Sequence, residues 1–364
     1  MNNDLLYWNA IANIKKIGPS RFKRLSNYFE NMETAFNASF DDLIRAGIEE
    51  NIAQEFIVSR NEIDPEAEWE KLEKEHINIV TVKDKNYPKL LKEIYNPPAL
   101  LYYKGKLEEN EDFLIAVVGT RKITEYGKQV TPDIVEELAK NGITVVSGLA
   151  LGVDALAHEI TIKNSGRTIA VLGSGLDNQN IYPFHNRFLA EKIIANDGLV
   201  ITEYPPGTLP LKQHFPHRNR IIAGLSLGVL VIEAAKESGA LITAKYALDQ
   251  NRDVFAVPGS IYNKTSQGPN NLIKMGAKPV TSGFDILDTL NLVHAASFIE
   301  TKQIIPDTKE EGLLLDHLSK EPIHIDELVR ESKLSTPEVT STLTMMEMKG
   351  KVRNLGGMNY VLAR

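Results

Sequence analysis

Cysteine is absent from this 364-residue chain. Its absence excludes disulfides, thiolate zinc sites and cysteine nucleophiles together, and it suits a reducing compartment. Long apolar runs are missing too: no stretch approaches the roughly 18 consecutive apolar residues that a membrane span demands. Met1 to Asn13 holds no basic segment leading into an apolar one, so no secretory signal is read there and a cytoplasmic location is expected. Nor is there an excess of positive charge, since the formal net charge is −7. Proteins gain affinity for phosphates by releasing counterions with Lys and Arg, so a nucleic-acid site on an acidic chain must be a local patch.

With 43% hydrophobic and 24% charged residues the chain reads as globular, and its length fits two or three domains at roughly 100 to 200 residues each. Residues 1–100 read as a small helical domain with a connector. IKKIGPSRFKRLSNYF (14–29) places Ile14, Ile17, Phe22 and Leu25 around the break at Gly18-Pro19-Ser20, and FDDLIRAGIEENIAQEF (40–56) is a weaker copy turning at Gly47. Each looks like a helix-hairpin-helix, whose N–H groups after the glycine can meet a phosphate, and a plain helical turn fits the same pattern.

From Leu114 the pattern becomes LIAVVG (114–119), ITVVSG (143–148), TIAVLG (168–173), LVITEY (199–204), GVLVIEA (228–234), VFAVPG (254–259) and AKPVTS (277–282). Short, wholly apolar, Val- and Ile-rich runs separated by amphipathic segments suit strands buried on both faces of a parallel sheet. The expected fold is α/β: a Rossmann-like, doubly wound, mostly parallel sheet over residues 101–290. Residues 291–307 read as a linker. Residues 308–364 read as three short helices and a hairpin turning at Leu355-Gly356-Gly357-Met358, with Ser335 and Glu338 forming a capping box, in the order of a winged helix. Its third helix carries almost no basic residue before Lys349, which argues against strong major-groove reading and fits a protein-contact or packing role at least as well.

Ligands of open α/β sheets lie beyond the carboxyl ends of the strands. After the first strand stand Gly119, Thr120 and Arg121: a close turn, a hydroxyl, and a planar fork suited to a phosphate or to a neighbouring carboxylate. Asp154 and His158 share a helical face without a third metal ligand, so a capping aspartate is expected there and no metal or cofactor. Gly173 and Gly175 end the third strand in a turn that tolerates phosphate.

The strongest feature follows the fourth strand. No Asp or Glu occurs from Tyr204 to Ile232, while LKQHFPHRNRIIAG (211–224) supplies Lys212, His214, His217, Arg218 and Arg220 around Phe215. Read as a loop, this stretch lets a base stack on Phe215 for about 1 to 3 kcal/mol while cations hold the flanking phosphates, the design of sequence-tolerant single-strand sites. The competing reading has Phe215 plugging the core and the arginines bridging to Glu203 or Glu233. Were Arg121, Lys212, Arg218 and Arg220 each to neutralise one phosphate, the salt slope would be about −0.7 × 4, or −2.8, costing roughly fiftyfold in affinity between about 50 and 200 mM salt. Pairing two such modest sites on one strand favours a homodimer.

With these residues in place, the chain over residues 1 to about 290 resembles the DprA family, also called Smf. The resemblance is densest in VVGTRKITEYG, VSGLALGVDALAH, AVLGSGLD, ITEYPPGT, HFPHRNRIIAGLS, EAAKESGALITA and AVPGS. It implies a Rossmann-like domain preceded by a small helical domain of SAM-like type and followed by a winged helix. It further implies a non-enzymatic protein that binds and protects incoming single-stranded DNA in natural transformation, dimerises, and loads the recombinase RecA onto strands covered by single-strand binding protein. The implied DNA-binding residues are Arg121, Lys212, Phe215, Arg218 and Arg220. The glycine turns Gly119-Thr120 and Gly173 join them from the reading of strand ends. One departure stands out: many members carry a lysine after the Tyr-Pro of IYPFHN, where this chain has Phe184 and His185. Two other classes compete. One is a nucleotide-processing enzyme of phosphoribohydrolase type, to which ESGALITA (237–244) is faintly similar, although the Pro-Gly-Gly-x-Gly-Thr-x-x-Glu pattern and its catalytic glutamate have no counterpart. The other is an interaction scaffold.

Overall fold

The computed structural model describes residues 3–109, 111–292, 306–319, 322–349 and 351–362. Helices come first: α1 (Asn3–Ala12), α2 (Pro19–Tyr28), α3 (Met32–Phe36), α4 (Phe40–Arg45), α5 (Glu50–Arg60) and α6 (Pro65–Lys74). Helix α2 starts with Pro19 in its first turn, where the missing N–H has no intrahelical partner to lose. Gly47, at φ +85°, provides the left-handed turn between α4 and α5.

The sheet follows, as β1 (Asn78–Thr81), α7 (Lys89–Lys92), β2 (Leu100–Gly105), β3 (Leu114–Val118), α8 (Glu125–Lys140), β4 (Thr144–Ser147), α9 (Val153–Lys163), β5 (Thr168–Val171), α10 (Arg187–Ala195), β6 (Leu199–Thr202), α11 (His214–Leu225), β7 (Gly228–Val231), α12 (Gly239–Asp249), β8 (Asp253–Ala256), α13 (Gln267–Lys274), β9 (Lys278–Pro279) and α14 (Gly283–Thr289). Among the described residues these strands make one nine-stranded sheet in the order β1-β2-β6-β5-β4-β3-β7-β8-β9. From β6 to β9 every pairing is parallel, whereas β1–β2 and β2–β6 are antiparallel. All seven apolar runs read from the sequence are strands. The order reverses at β3, whose neighbours are β4 and β7, so the crevice where a doubly wound sheet binds ligands opens over the carboxyl ends of these strands.

The sequence pattern draws a boundary near residue 100, but the backbone draws none: residues 1–286 form one compact unit. The reason is a shared core. Trp8, Phe22, Leu25 and Phe56 of the amino-terminal helices belong to one buried cluster with Tyr102 of β2, Ala170 of β5 and Val200 of β6. Trp8 stacks on Phe22 at 5.1 Å, and the buried Tyr102 hydroxyl donates to Asn9 Oδ1 at 2.8 Å. β1, drawn from the expected connector, and β2, which begins at its end, extend the sheet beside β6.

Residues 287–364 form the second unit. It contains α15 (Lys309–Leu315), β10 (Ile323–His324), α16 (Ile325–Ser332), α17 (Thr336–Met348), β11 (Val352–Asn354) and β12 (Asn359–Leu362). Leu314, Leu328, Val339, Leu343 and Met346 fill its core, and the capping box of Ser335 and Glu338 is formed. This is the winged helix, with β10 adding a third strand beside β12 that the sequence pattern does not reveal. Lys349 and Lys351 after α17 both pair with Asp307 and with Glu311, whose carboxylate is buried, so two cations of this unit are neutralised internally. Most of the expected linker, residues 293–305, lies outside the described residues. No described helix is long and apolar enough to cross a membrane.

Because the amino-terminal helices share the sheet's core, Trp8→Ala should cost roughly 3 to 5 kcal/mol. It should also lower one transition for the whole 1–286 unit: hydrogen exchange should accelerate in β6 as well as in α1, rather than in α1 alone.

Candidate nucleic-acid interface

A cleft of about 630 Å³ lies over the carboxyl ends of the central strands. Its first wall is the turn after β3. Gly119 packs against α9 so closely that an added Cβ would sit 2.6 Å from Val153 Cγ2, so a side chain there would push the turn off the helix. The Thr120 N–H donates to the Glu233 carbonyl at 2.7 Å, and its hydroxyl oxygen accepts from the Lys122 N–H at 3.2 Å. Thr120 is thus a brace, and Glu233, buried at the end of β7, clamps the following residues by accepting from the Thr124 N–H and hydroxyl at 3.0 and 2.6 Å. The braced turn leaves Arg121 exposed at the mouth, its guanidinium 5.6 Å from the Phe215 ring centroid and without a carboxylate partner among the described residues.

The basic stretch expected as a loop is largely helix. From His214 the backbone is α11, and the helical period sorts its residues by face. Phe215, Arg218, Asn219 and Ile222 recur at i, i+3, i+4 and i+7 and all line the cleft. Arg220 and His217 look the other way. Lys212, just before the helix, is exposed in the cleft mouth with no carboxylate partner among the described residues. Phe215 is half-buried, its ring 5.6 Å from that of Tyr182 and packed over Gly173, where an added Cβ would stand 3.1 Å from Phe215 Cδ1. Gly173 therefore serves as a seat for the ring.

Two of the four cations counted in the salt estimate are internal, which corrects that count. Arg220 is 5% exposed: it donates to the Asn96 carbonyl at 2.7 Å and pairs with Glu203, which His217 also approaches at 3.1 Å. This is the bridge to Glu203 that the competing reading allowed; among the described residues Glu233 takes no arginine and holds Thr124 and Thr265 instead. Arg218 is 4% exposed, and its Nη1 donates to the carbonyls of Gly148 at 2.9 Å and Val171. Arg218 is held by two backbone carbonyls, and Arg220 by one carbonyl and one carboxylate, because the apolar face of α11 must dock on the sheet and takes them inward with it.

Beneath the cleft lie Asp154 and His158. Asp154 accepts from the Gly148 N–H at 3.1 Å, so it organises the turn after β4 rather than capping its own helix. Burial pushes its carboxyl up, while the neighbouring Arg218 guanidinium pulls the other way. Burial drives Arg218 down to about 10, which leaves it charged at neutral pH. Burial, with the Arg218 charge adding to it, drives His158 down to about 3, and its Nδ1 meets Thr168 Oγ1 at 2.7 Å. The cleft floor is thus a fixed cation over a neutral histidine. No group of three or more metal-ligating side chains occurs among the described residues.

Three residues that were not counted among the site residues complete the cleft. Tyr182 arrives from the turn before α10, and Ser238 and Gly239 bring the amino terminus of α12 to the cleft edge. The Ser238 cap before an apolar helix was legible; the meeting of Tyr182 with Phe215 was not, because 33 positions of sequence separate them.

Residues 78–291 match the family model described as DNA recombination-mediator protein A, and residues 300–358 match one described as the DprA winged helix domain. Protein Smf of Synechocystis sp. is 37% identical over 396 aligned positions, 99% of both chains. DNA processing protein DprA of Streptococcus pneumoniae is 49% identical across 57% of this chain and 72% of that protein. Among solved structures, the X-ray structure of that pneumococcal protein superposes with a TM-score of 0.67 at 38% identity, covering 79% of this chain and 98% of that one. DNA processing protein A from Helicobacter pylori, described for its single-stranded DNA binding mode, superposes with a TM-score of 0.53 at 32% identity, covering 60% of this chain and 97% of that one.

Two stability predictions follow from the burial. Arg220→Ala leaves Glu203 without its main partner and should cost roughly 3 to 5 kcal/mol in denaturant unfolding, whereas Lys212→Ala should stay within about 0.5 kcal/mol of the parent. His158 is neutral in the fold, whereas the unfolded chain takes up a proton near pH 6.5. Its contribution is therefore intact above that pH and lost as pH falls toward 3, at up to about 1.4 kcal/mol per unit. Urea midpoints at pH 7.5 and 5 should fall further for the parent than for His158→Gln.

Proposed function

The chain belongs to the DNA recombination-mediator protein A (DprA/Smf) family, and on that footing we propose that the cleft over β3, β4 and β7 grips single-stranded DNA without performing covalent chemistry on it. One observation carries the reading: Arg121 and Lys212, both exposed and free of carboxylates among the described residues, flank the Phe215 ring at a switch-point crevice. A base laid on Phe215 gains stacking free energy, and the flanking cations meet its phosphates. Duplex DNA hides its base faces, so the arrangement favours unpaired strands. The carboxylate lining the cleft, Asp154, is engaged by the Gly148 N–H and lies beside Arg218, which leaves it poorly placed to act as a base.

Gly119, Thr120, Gly173, Arg218 and Arg220 support this grip from beneath, by shaping the turn, seating the ring and fixing α11. With two phosphate contacts rather than four, the salt slope is about −0.7 × 2, or −1.4, and affinity falls only about sevenfold between about 50 and 200 mM salt. So weak a single site gains from a second one on the same strand, and the working form proposed is a homodimer in the cytoplasm. In that form the protein shields incoming strands during natural transformation and passes them to RecA, displacing single-strand binding protein. The measurable consequence is RecA filament growth on covered strands, which should need the intact cleft.

Anisotropy titrations of labelled oligonucleotides across a salt series test the grip. Arg121→Ala and Lys212→Ala should each weaken binding for all sequences alike and lower the slope by about 0.7. Unchanged affinity in both variants overturns the assignment.

A further inference from the structure

Beside the cleft the structure carries a feature that its grip on one base does not use. Phe184 and Phe188 are 68% and 65% exposed, although burying a phenylalanine ordinarily contributes about 1.5 to 3 kcal/mol. They stand four residues apart, Phe184 in the tight helical turn that leads into α10 and Phe188 in the first turn of α10 itself. Each ring has its own cation: the Arg187 guanidinium lies 4.5 Å from the Phe184 centroid, and Lys192 Nζ lies 4.7 Å from that of Phe188. Arg187 is also tied to the Ile181 carbonyl at 3.2 Å and to that of Gln179, so the cation over Phe184 is held in place before any ligand arrives. The strip joins the cleft through Tyr182, two residues before Phe184, which is 44% exposed and 5.6 Å from Phe215.

We propose that Phe184 and Phe188, with Arg187 and Lys192, form a second stacking segment that continues the strand path out of the cleft by way of Tyr182. The occupant is unpaired nucleic acid, because an apolar protein partner gains nothing from a cation set against each ring, whereas alternating bases and phosphates match alternating rings and cations. The inference rests on the cleft reading above, and its experiment separates the two.

Binding is measured for oligonucleotides of about 4 and about 16 nucleotides, the span of single-strand site sizes. Phe184→Ala with Phe188→Ala should weaken the longer strand about fivefold or more and leave the shorter unchanged, since one stacked base is worth about a factor of five at the least. Arg121→Ala should weaken both lengths. In a separate arm, Phe184→Trp should show tryptophan quenching by the longer strand that the parent lacks, its own Trp8 being buried and Trp69 half-buried. Unchanged affinity of the double variant for the longer strand overturns the second segment, and so does loss of the dimer's mass in solution without a length-dependent change, which would assign the strip to a second copy of the chain. Strip-dependent binding that Arg121→Ala leaves untouched would instead overturn the cleft reading.

Discussion

The buried guanidinium of Arg218 is the interaction on which the cleft depends. It joins α11 to the carbonyls that end β4 and β5, sits beside Asp154, and adds its charge to the burial that depresses His158. Because α11 is held there, Phe215 one turn earlier is aimed into the cleft, and an added Cβ at Gly173 would crowd its ring at 3.1 Å. A charge in that position is costly to desolvate, and the carbonyl contacts and neighbouring carboxylate are what make it tolerable. The result is a buried, hydrogen-bonded floor beneath a ring and two exposed cations.

The chain's charge is arranged to be local. Its acidic total is compatible with phosphate binding because no carboxylate occurs between Tyr204 and Ile232, and because carboxylates elsewhere are spent on particular cations. Glu203 takes Arg220, and Glu311 takes Lys349 and Lys351. Each such pair removes a cation from the surface, so counting basic residues in a motif overstates the phosphates it can meet. The exposed cations of the cleft are few, which suits the weak, releasable grip proposed for it.

Strand positions were legible because a parallel strand buried on both faces must be apolar throughout, and LIAVV, TVVS, TIAV and GVLV have no competing helical period. β1 and β2 were not, since NIVT and LLYYKG run antiparallel at one side of the sheet, carry partly exposed residues, and lie among charged helices. The amino-terminal helices were visible, but their fusion to the sheet was not: Trp8 and Tyr102 meet only after the chain has folded. For the site, Arg121, Lys212 and Phe215 stand together as read, while Arg218 and Arg220 turn inward.

What the sequence determined by itself was the α/β layout, the winged-helix order and the location of the cationic segment, because these follow from local period, turn residues and the spacing of charges. What only the tertiary structure decided was which of those charges face water. That choice depends on the side of α11 that docks against the sheet, and docking is set by apolar contacts between residues far apart in the chain, which no local pattern records.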